Sequence, residues 1–300
     1  MTKKTLVLRD KDVGLDDPLY WPSVLPAHEI LSDPIGAYYL YYSASHAESA
    51  VRLAVGDDPL GPYEDNGRIF DDPAAAPQTE TPSVLWNPET DRLHMYYHGM
   101  LGKNQSTALA FSNDGITWEK HGTIIDAPAY TPGHDHTGYA RVHRIGGTWI
   151  AHHLMGGGAA AGYGISYSRD GIEWITDPRR LSDSTDISGN PDWRIGWSSS
   201  NLLSWNGNLW WIGGIDQKGR SGGGLWKRRI VHAPMLNERS IAGPPRTLVE
   251  PTEAWEGVAT YTPGIFIEDS TAYVFYGTHG EGFGHIGGAI IEDGGINATP

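Results

Sequence analysis

The chain has no cysteine among its 300 residues, so it can form neither a disulfide nor a thiolate metal site. Basic residues are also few, because 22 Lys and Arg stand against 36 Asp and Glu, for a formal net charge of −14. Nucleic acids and anionic membranes bind basic faces, so this balance argues against both as partners. No apolar run is long enough for a secretory signal or a membrane span. The sequence therefore predicts a cytoplasmic protein, or a secreted one if a signal peptide has been trimmed.

Helical periodicity is missing as well, since no segment of ten or more residues repeats its apolar positions at a helical spacing. What the chain does have is 12 Trp, 15 Tyr and 39 Gly. Aromatic side chains favour strands and glycines favour tight turns. This composition predicts an all-β fold of many short strands.

An internal repeat defines the predicted architecture. From Glu80 the sequence reads PSVLW, a turn at NPETD, LHMYYHG, TALAFS, a turn at NDG, and a last strand ending in GTII. That is four antiparallel strands, the content of one propeller blade. The same order recurs in five units (18–72, 77–125, 131–181, 193–250 and 255–293), most clearly in SNDGITW (112–118) and SRDGIEW (168–174). The prediction is a single domain over 1–300, a five-bladed β-propeller with a central pocket on one face. A β-sandwich also has many short strands, but this repeated order is not expected of it.

Propeller geometry predicts which residues ring that pocket. The innermost strand of each blade begins at the face where the second strand ends. Beginnings of inner strands supply Asp16, Asp17, Tyr20, Glu80, Asp135, His136, Trp193, Arg194, Trp255 and Glu256. Ends of second strands supply His46, His98, His153, Asp216 and His279, so histidine recurs at this place in four units.

The repeats resemble those of a known superfamily. The segment GDDPLGPYEDNGRIF (56–70) and the two S-x-D-G-x-x-W hairpins are similar to blades of the five-bladed glycoside hydrolases of families 43, 32, 68, 117 and 130. The resemblance implies sugar chemistry on a small carbohydrate substrate. The chain departs from these families in detail. It lacks the W-x-N-D-P-N, R-D-P and E-C motifs of families 32 and 68. It also has no Glu in DWRIGWSSSN (192–201), where family 43 would carry its general acid.

Glycoside cleavage needs one group that protonates the leaving oxygen and another that supplies or activates the nucleophile. We expect Asp17, or Asp16 beside it, to be the base or nucleophile, and Glu80 to be the acid. Asp135 is a further candidate, and His136 stays open because a histidine can be the general acid in family 117. The expected substrate-binding residues are Asp16, Tyr20, His98, His153, Trp193, Arg194, Asp216, Trp255, Glu256 and His279.

No cofactor is expected to be required, but a divalent ion stays open. Enzymes of the resembled families can hold a Ca²⁺ in the central channel, and the resemblance allows a structural Ca²⁺ or another divalent ion here. Five histidines are candidates to converge on a metal: His28, His98, His136, His153 and His279.

The predicted function is that of an exo-acting glycosidase on a small glycoside or oligosaccharide. Three alternatives remain at this point: a phosphorylase or transglycosidase on the same fold, a non-catalytic carbohydrate-binding propeller, and a metal-dependent sugar lyase or isomerase. Fold does not decide among them.

Overall fold

The computed structural model describes residues 3–15, 17–44, 50–101, 104–126, 136–156, 162–179, 181, 193–217, 227–280 and 284–292; of residues 193–198 and 217 it describes only the backbone. Helices in these ranges are at most four residues long. None of the described helices has the length and apolar character that a membrane span requires.

Three sheets of the fold have four antiparallel strands each, in sequential order. The chain enters through β1 (Lys4–Leu8) and the short helix α1 (Asp10–Val13). The first sheet contains β2 (Tyr20–Leu25), β3 (Tyr38–Ser43), β4 (Val51–Gly56) and β5 (Glu64–Phe70), with helix α2 (Ala27–Ile30) after β2. The second contains β6 (Glu80–Asn87), β7 (Arg92–Leu101), β8 (Asn104–Ser112) and β9 (Glu119–Ile125). The third contains β10 (Arg141–Ile145), β11 (Thr148–Met155), β12 (Gly162–Ser168) and β13 (Trp174–Thr176).

The remaining strands form one nine-stranded sheet made of two antiparallel groups. The first group has β14 (Trp193–Trp205), β15 (Asn208–Gln217) and β16 (Arg228–Asn237), with β17 (Ser240–Ile241) and β18 (Arg246–Val249) paired to β16. A 3₁₀-helix (Ala254–Glu256) leads to the second group, β19 (Ala259–Glu268), β20 (Thr271–His279) and β21 (Ile286–Ile291), which β1 completes as an edge strand. One parallel pair, Arg228 with Ala259, joins the two groups. The predicted all-β fold of four-stranded antiparallel sheets is confirmed.

The repeated S-x-D-G-x-x-W hairpins are held by the same local bonds. In the first, the Ser112 hydroxyl accepts the Gly115 amide at 2.8 Å, and the Asp114 carboxylate accepts the next two amides at 2.8 and 2.7 Å. Gly115 has φ +74°, and a Cβ there would lie 2.6 Å from the Tyr41 hydroxyl of the preceding sheet. The second hairpin repeats these bonds around Asp170. Each hairpin therefore docks its sheet against the one before it.

A bulge at the start of the inner strands positions the site. Four non-glycine residues at the same repeat position have φ between 52° and 57°: Trp21, Thr81, Tyr139 and Thr262. In β2, β6 and β19 the pairing register with the next strand shifts at this residue. The left-handed backbone turns the preceding residue of these three strands (Tyr20, Glu80 and Tyr261) toward a common end of the sheets.

Beyond the bulge the inner strands contact one another around a shared channel. The Val84 amide donates to the Ser23 hydroxyl at 3.0 Å, and the Val142 amide donates to the Ser83 hydroxyl at 3.1 Å. The Asn201 side-chain amide reaches the Pro263 carbonyl at 2.9 Å. A cavity of about 430 Å³ lies among β2, β6, β10, β14 and β19. It lies toward the end of these strands that is farther from Glu80.

Candidate active site

Charged residues from different sheets surround the Tyr20 phenol. Its hydroxyl lies 3.2 Å from Nδ1 of His279 at the end of β20. Burial raises the pKa of Tyr20, Asp17 and Glu80 raise this pKa further, and Arg228 lowers it. These electrostatic effects require all three charged groups to be near the phenol. The structure thus brings together Asp17, Tyr20, Glu80 and His279, which the sequence assigns to the pocket.

Arg228 is a residue of this candidate site that the sequence analysis missed. It begins β16, directly opposite Asp216 in β15, and its Nε lies 3.0 Å from Oδ1 of that fully buried carboxylate. Its guanidinium carbon lies 4.8 Å from the centre of the Tyr261 ring. Asp216 therefore orients the arginine that faces Tyr20. The sequence could have placed Arg228 at the pocket, because the first residue of a third strand lies at the same face as the last residue of the second strand.

A stack of aromatic rings forms the floor beside Glu80. Tyr139 stacks on Trp21 at 5.5 Å and on His98 at 4.4 Å between ring centres. Glu80 lies opposite His98 in the β6–β7 pair and raises the pKa of Tyr139 beyond the larger effect of burial. A Cβ on Gly138 would lie 1.8 Å from Nδ1 of His98, so only glycine allows this stack. The rings exclude water from one side of Glu80.

His136 belongs to the same stack, 5.2 Å from the His98 ring, and is buried. Burial, with a smaller effect of His153, lowers the pKa of His136 to about 3. The Gly138 amide donates to its Nδ1 at 3.0 Å, which places the single ring proton on Nε2. Neutral His136 can donate a hydrogen bond through Nε2. This tautomer suits neither an imidazolium acid nor an Nε2 metal ligand.

His153 is bonded within the third sheet. Its Nδ1 donates to the Leu154 carbonyl at 2.9 Å, and its Nε2 lies 2.9 Å from the Ser166 hydroxyl. Burial lowers its pKa to about 4, so the ring is neutral at physiological pH. These bonds use both ring nitrogens and give His153 a structural role in the packing of β11 on β12.

Glu256 and Trp255 are also engaged in structural contacts. The fully buried Glu256 carboxylate lies 2.8 Å from the Lys4 ammonium and accepts the Tyr276 hydroxyl at 2.9 Å. It also accepts the amides of Thr252 and Glu253. Trp255 stacks on Tyr276 with ring centres 6.4 Å apart. This network fastens β1 to the last group of strands.

Glu256→Gln is accordingly expected to weaken folding rather than catalysis. Loss of the buried ion pair should cost about 2–4 kcal/mol of unfolding free energy, since the Lys4 ammonium loses its charged partner. Urea unfolding measures this cost, and kcat of the folded variant should stay within about twofold of the original. Lost activity at unchanged stability would instead return Glu256 to the substrate-binding set.

Several residues assigned by sequence lie outside the described parts. These are Asp16, His46 and Asp135, and also the side chains of Trp193 and Arg194. The backbone places Arg194 opposite Asp216 in the β14–β15 pair.

A search of the described residues for potential metal ligands finds one close group of three, His28, Glu29 and Glu268. Two of its members already have partners, because the Tyr38 hydroxyl donates to Glu268 and Nδ1 of His28 donates to the Ala37 carbonyl. His98, His136, His153 and His279 do not form such a group within the described chain.

Known proteins resemble this chain in structure rather than in sequence. No protein-family model and no curated protein matches the chain. Solved structures do match. A thermostable family 43 glycoside hydrolase superposes with a TM-score of 0.69 at 16% identity, over 93% of this chain and 91% of that one. The chain has the fold of the propeller glycoside hydrolases.

Two further solved structures show the range of that fold. The Bombyx mori family 32 β-fructofuranosidase BmSUC1 superposes with a TM-score of 0.65 at 11% identity, over 96% of this chain. The chain spans 61% of that enzyme's length. An N-acetylgalactosamine deacetylase from F. plautii, solved with blood group B trisaccharide, has a TM-score of 0.69 at 14% identity and covers 97% of this chain and 95% of that one. The resemblance stated from the repeats is confirmed, and at these identities the likeness concerns the fold alone.

Proposed function

We propose that the protein is a glycoside hydrolase that acts on the end of a small glycoside or oligosaccharide. In this proposal the four-stranded groups are the five blades of one propeller, and the substrate binds at the face where Tyr20 and Glu80 meet. The observation that carries the proposal is the pair of carboxylates, Asp17 and Glu80, beside one phenol. Two carboxyl groups in unlike surroundings are what glycoside cleavage requires.

Glu80 is assigned the role of general acid. It is completely buried, begins β6 immediately before the Thr81 bulge, and lies against the ring stack of Tyr139 and His98. A site withdrawn from water disfavours the charged form of a carboxyl group, which suits a group that must arrive protonated.

Asp17 is assigned the role of base or nucleophile. It is partly exposed in the segment before β2, so it remains hydrated and able to meet a water molecule or the sugar. Asp135, outside the described residues, remains a candidate for the same role, or for a carboxylate whose charge keeps the leaving-group proton donor protonated.

The residues that remain partly exposed at this face are assigned to substrate binding. Tyr20, His279 and Arg228 are half-buried. The buried rings of Trp21, Tyr139 and Tyr261 form the layer beneath them. Arg228 and His279 supply hydrogen-bond donors for sugar hydroxyls, and the Tyr20 ring supplies an apolar surface. The arrangement suits a single terminal sugar residue.

A panel of aryl glycosides tests the proposal: arabinofuranoside, xyloside, fructoside, galactoside and mannoside. We expect turnover of at least one without added phosphate and with EDTA present. Asp17→Asn should lower its kcat by at least about 100-fold at unchanged folding. Asp57→Asn, an exposed aspartate after β4, is the matched control and should retain full rate.

If no glycoside of the panel is hydrolysed, the hydrolase proposal is wrong and carbohydrate binding without catalysis is the function that remains. Because one structural neighbour is a deacetylase, an N-acetylgalactosaminide assayed for acetate release belongs in the same experiment. Activity abolished by EDTA would move the assignment to metal-dependent sugar chemistry.

A phosphorylase is the second candidate, and Arg228 is the observation that favours it. Phosphorolysis needs a cation near the reacting carbon to hold phosphate, and Arg228 is a cation that acts on the same phenol as both carboxylates. Its charge is partly offset by Asp216 at 3.0 Å. Product analysis distinguishes the two, since a phosphorylase releases a sugar phosphate and depends on phosphate concentration.

A further inference from the structure

One buried arginine in the central channel has no role in the proposed sugar site. Each inner strand places one residue at the neck of the channel. In chain order these are Ser23, Ser83, Arg141, Asn201 and Gly264. A Cβ on Gly264 would lie 2.1 Å from the Pro22 carbonyl oxygen, so that strand adds no side chain. Arg141 is therefore the charged residue of this level.

The hydrogen bonds of Arg141 leave one edge of its guanidinium unpaired. Nη1 donates to the Pro82 carbonyl at 2.7 Å. Nε and Nη2 are buried and have no hydrogen-bond partner among the described residues, and the residue as a whole is 2% exposed. Nε and Nη2 form the side of the guanidinium that binds a carboxylate or phosphate through two parallel bonds.

The positive charge of Arg141 is also uncompensated. Burial lowers its pKa to about 9, and no carboxylate of the described chain offsets this effect. His143, on the same strand, is neutral because burial lowers its pKa to about 3. A buried charge without a partner is costly, so the fold gains stability from any anion that reaches it.

Arg141 borders the channel cavity, which lies on the side opposite the proposed sugar site. Arg141 is one of the residues that line the channel cavity of about 430 Å³, whose walls continue through apolar residues such as Val24, Leu202 and Ile265. Ser83 and Asn201 line the same cavity and add polar side chains at the arginine's level.

We propose that the central channel holds an oxyanion, a carboxylate or phosphate group bound by the Nε and Nη2 edge of Arg141. This assigns the channel the opposite charge preference from the calcium ion that the family resemblance allows. Calcium needs several oxygen ligands that include carboxylates. The neck offers a guanidinium and no carboxylate among its five residues.

Thermal unfolding in a low-salt Bis-Tris chloride buffer tests the site, with phosphate, sulfate, acetate or extra chloride added at equal sodium concentration. For the wild type we expect the midpoint to rise by about 2–4 °C per tenfold increase of the bound oxyanion above its Kd. Comparison of phosphate with acetate separates an inorganic ion from an organic acid as the occupant. Chloride is expected to have the smaller effect, because it cannot accept two parallel bonds.

In Arg141→Met, added oxyanion should no longer raise the unfolding midpoint. In the low-anion buffer this variant should unfold at the same temperature as the wild type or a higher one, since the uncompensated charge is gone. Arg144→Met is the matched control. Arg144 lines the outer part of the same cavity, and its charge is already paired with Glu89 at 2.6 Å. The control variant should keep the wild-type response to oxyanions.

Two results would overturn the proposal. One is an Arg141→Met variant that is less stable than the wild type at every anion concentration while the wild type shows no response, because Arg141 would then serve only to brace the Pro82 carbonyl. If that variant does not fold, calorimetric titration of the wild type decides. The absence of saturable binding of phosphate, sulfate and acetate would reject the site.

Discussion

Glu80→Gln is expected to lower kcat by about 1,000-fold on a glycoside with a poor leaving group, because general acid catalysis contributes roughly 10²–10⁴-fold. Glutamine keeps the shape of the side chain at the start of β6 but has no proton to give. KM should change little, since the ring stack of Tyr139 and His98 remains in place. Steady-state kinetics on the substrate found in the panel measure the loss, and circular dichroism checks the fold.

The choice of leaving group shows which role Glu80 has. A dinitrophenyl glycoside releases dinitrophenolate, which leaves without being protonated. On this substrate the kcat of the same variant should therefore fall by less than about 30-fold. Glu89→Gln is the control, because Glu89 follows the other end of β6 and pairs with Arg144 on the surface. Equal losses on both substrates would make Glu80 the nucleophile or base and pass the acid role to another residue.

Acid is expected to unfold the protein cooperatively between about pH 6 and pH 4. Five fully or almost fully buried histidines have a pKa of about 3–4 in the folded state, mainly through burial: His94, His136, His152, His153 and His232. Their unfolded pKa is near 6.5. Between these values the unfolded chain binds more protons than the folded one, so stability falls as pH falls. Each histidine contributes roughly 1.4 kcal/mol per pH unit.

Urea unfolding at a series of pH values measures this slope. His232→Leu should reduce the slope by about one proton, since one buried titrating group is removed. His121→Leu is the control, because His121 is exposed and its removal should change the slope much less. Stability that stays constant from pH 7 to pH 4.5 would contradict the expectation and would mean that these imidazoles become protonated without unfolding.

Local repeats predicted most of the fold because each sheet is built from neighbouring strands. The hairpins that end at Trp118 and Trp174 carry their own turn bonds, so their sequence fixes their structure. The exception is β1. It pairs with β21, in the group of strands that begins at Ala259, and a repeat search cannot show a partner so distant in sequence.

The site was predictable in position but not in the direction of every side chain. Glu80 and Glu256 both occur just before an inner strand, and the pattern assigns both to the pocket. The bulge turns Glu80 toward Tyr20, whereas Lys4 and Tyr276 hold Glu256 away in a structural network. Lys4 reaches Glu256 only because β1 has crossed to the last sheet. The role of Arg228 depends on its pairing with Asp216, which requires the register of β15 and β16.

The pairing of β1 with β21 has a consequence for how the chain is made. Strand β1 leaves the ribosome long before β21 (Ile286–Ile291), its partner in the described sheet. At about 5–20 residues per second, translation of 300 residues takes roughly 15–60 s. During that time Val7 and Leu8 are apolar residues on an unpaired strand, which is the kind of segment that chaperones bind and that misassembles with other chains. The nascent protein is therefore most vulnerable to aggregation until β21 is synthesised.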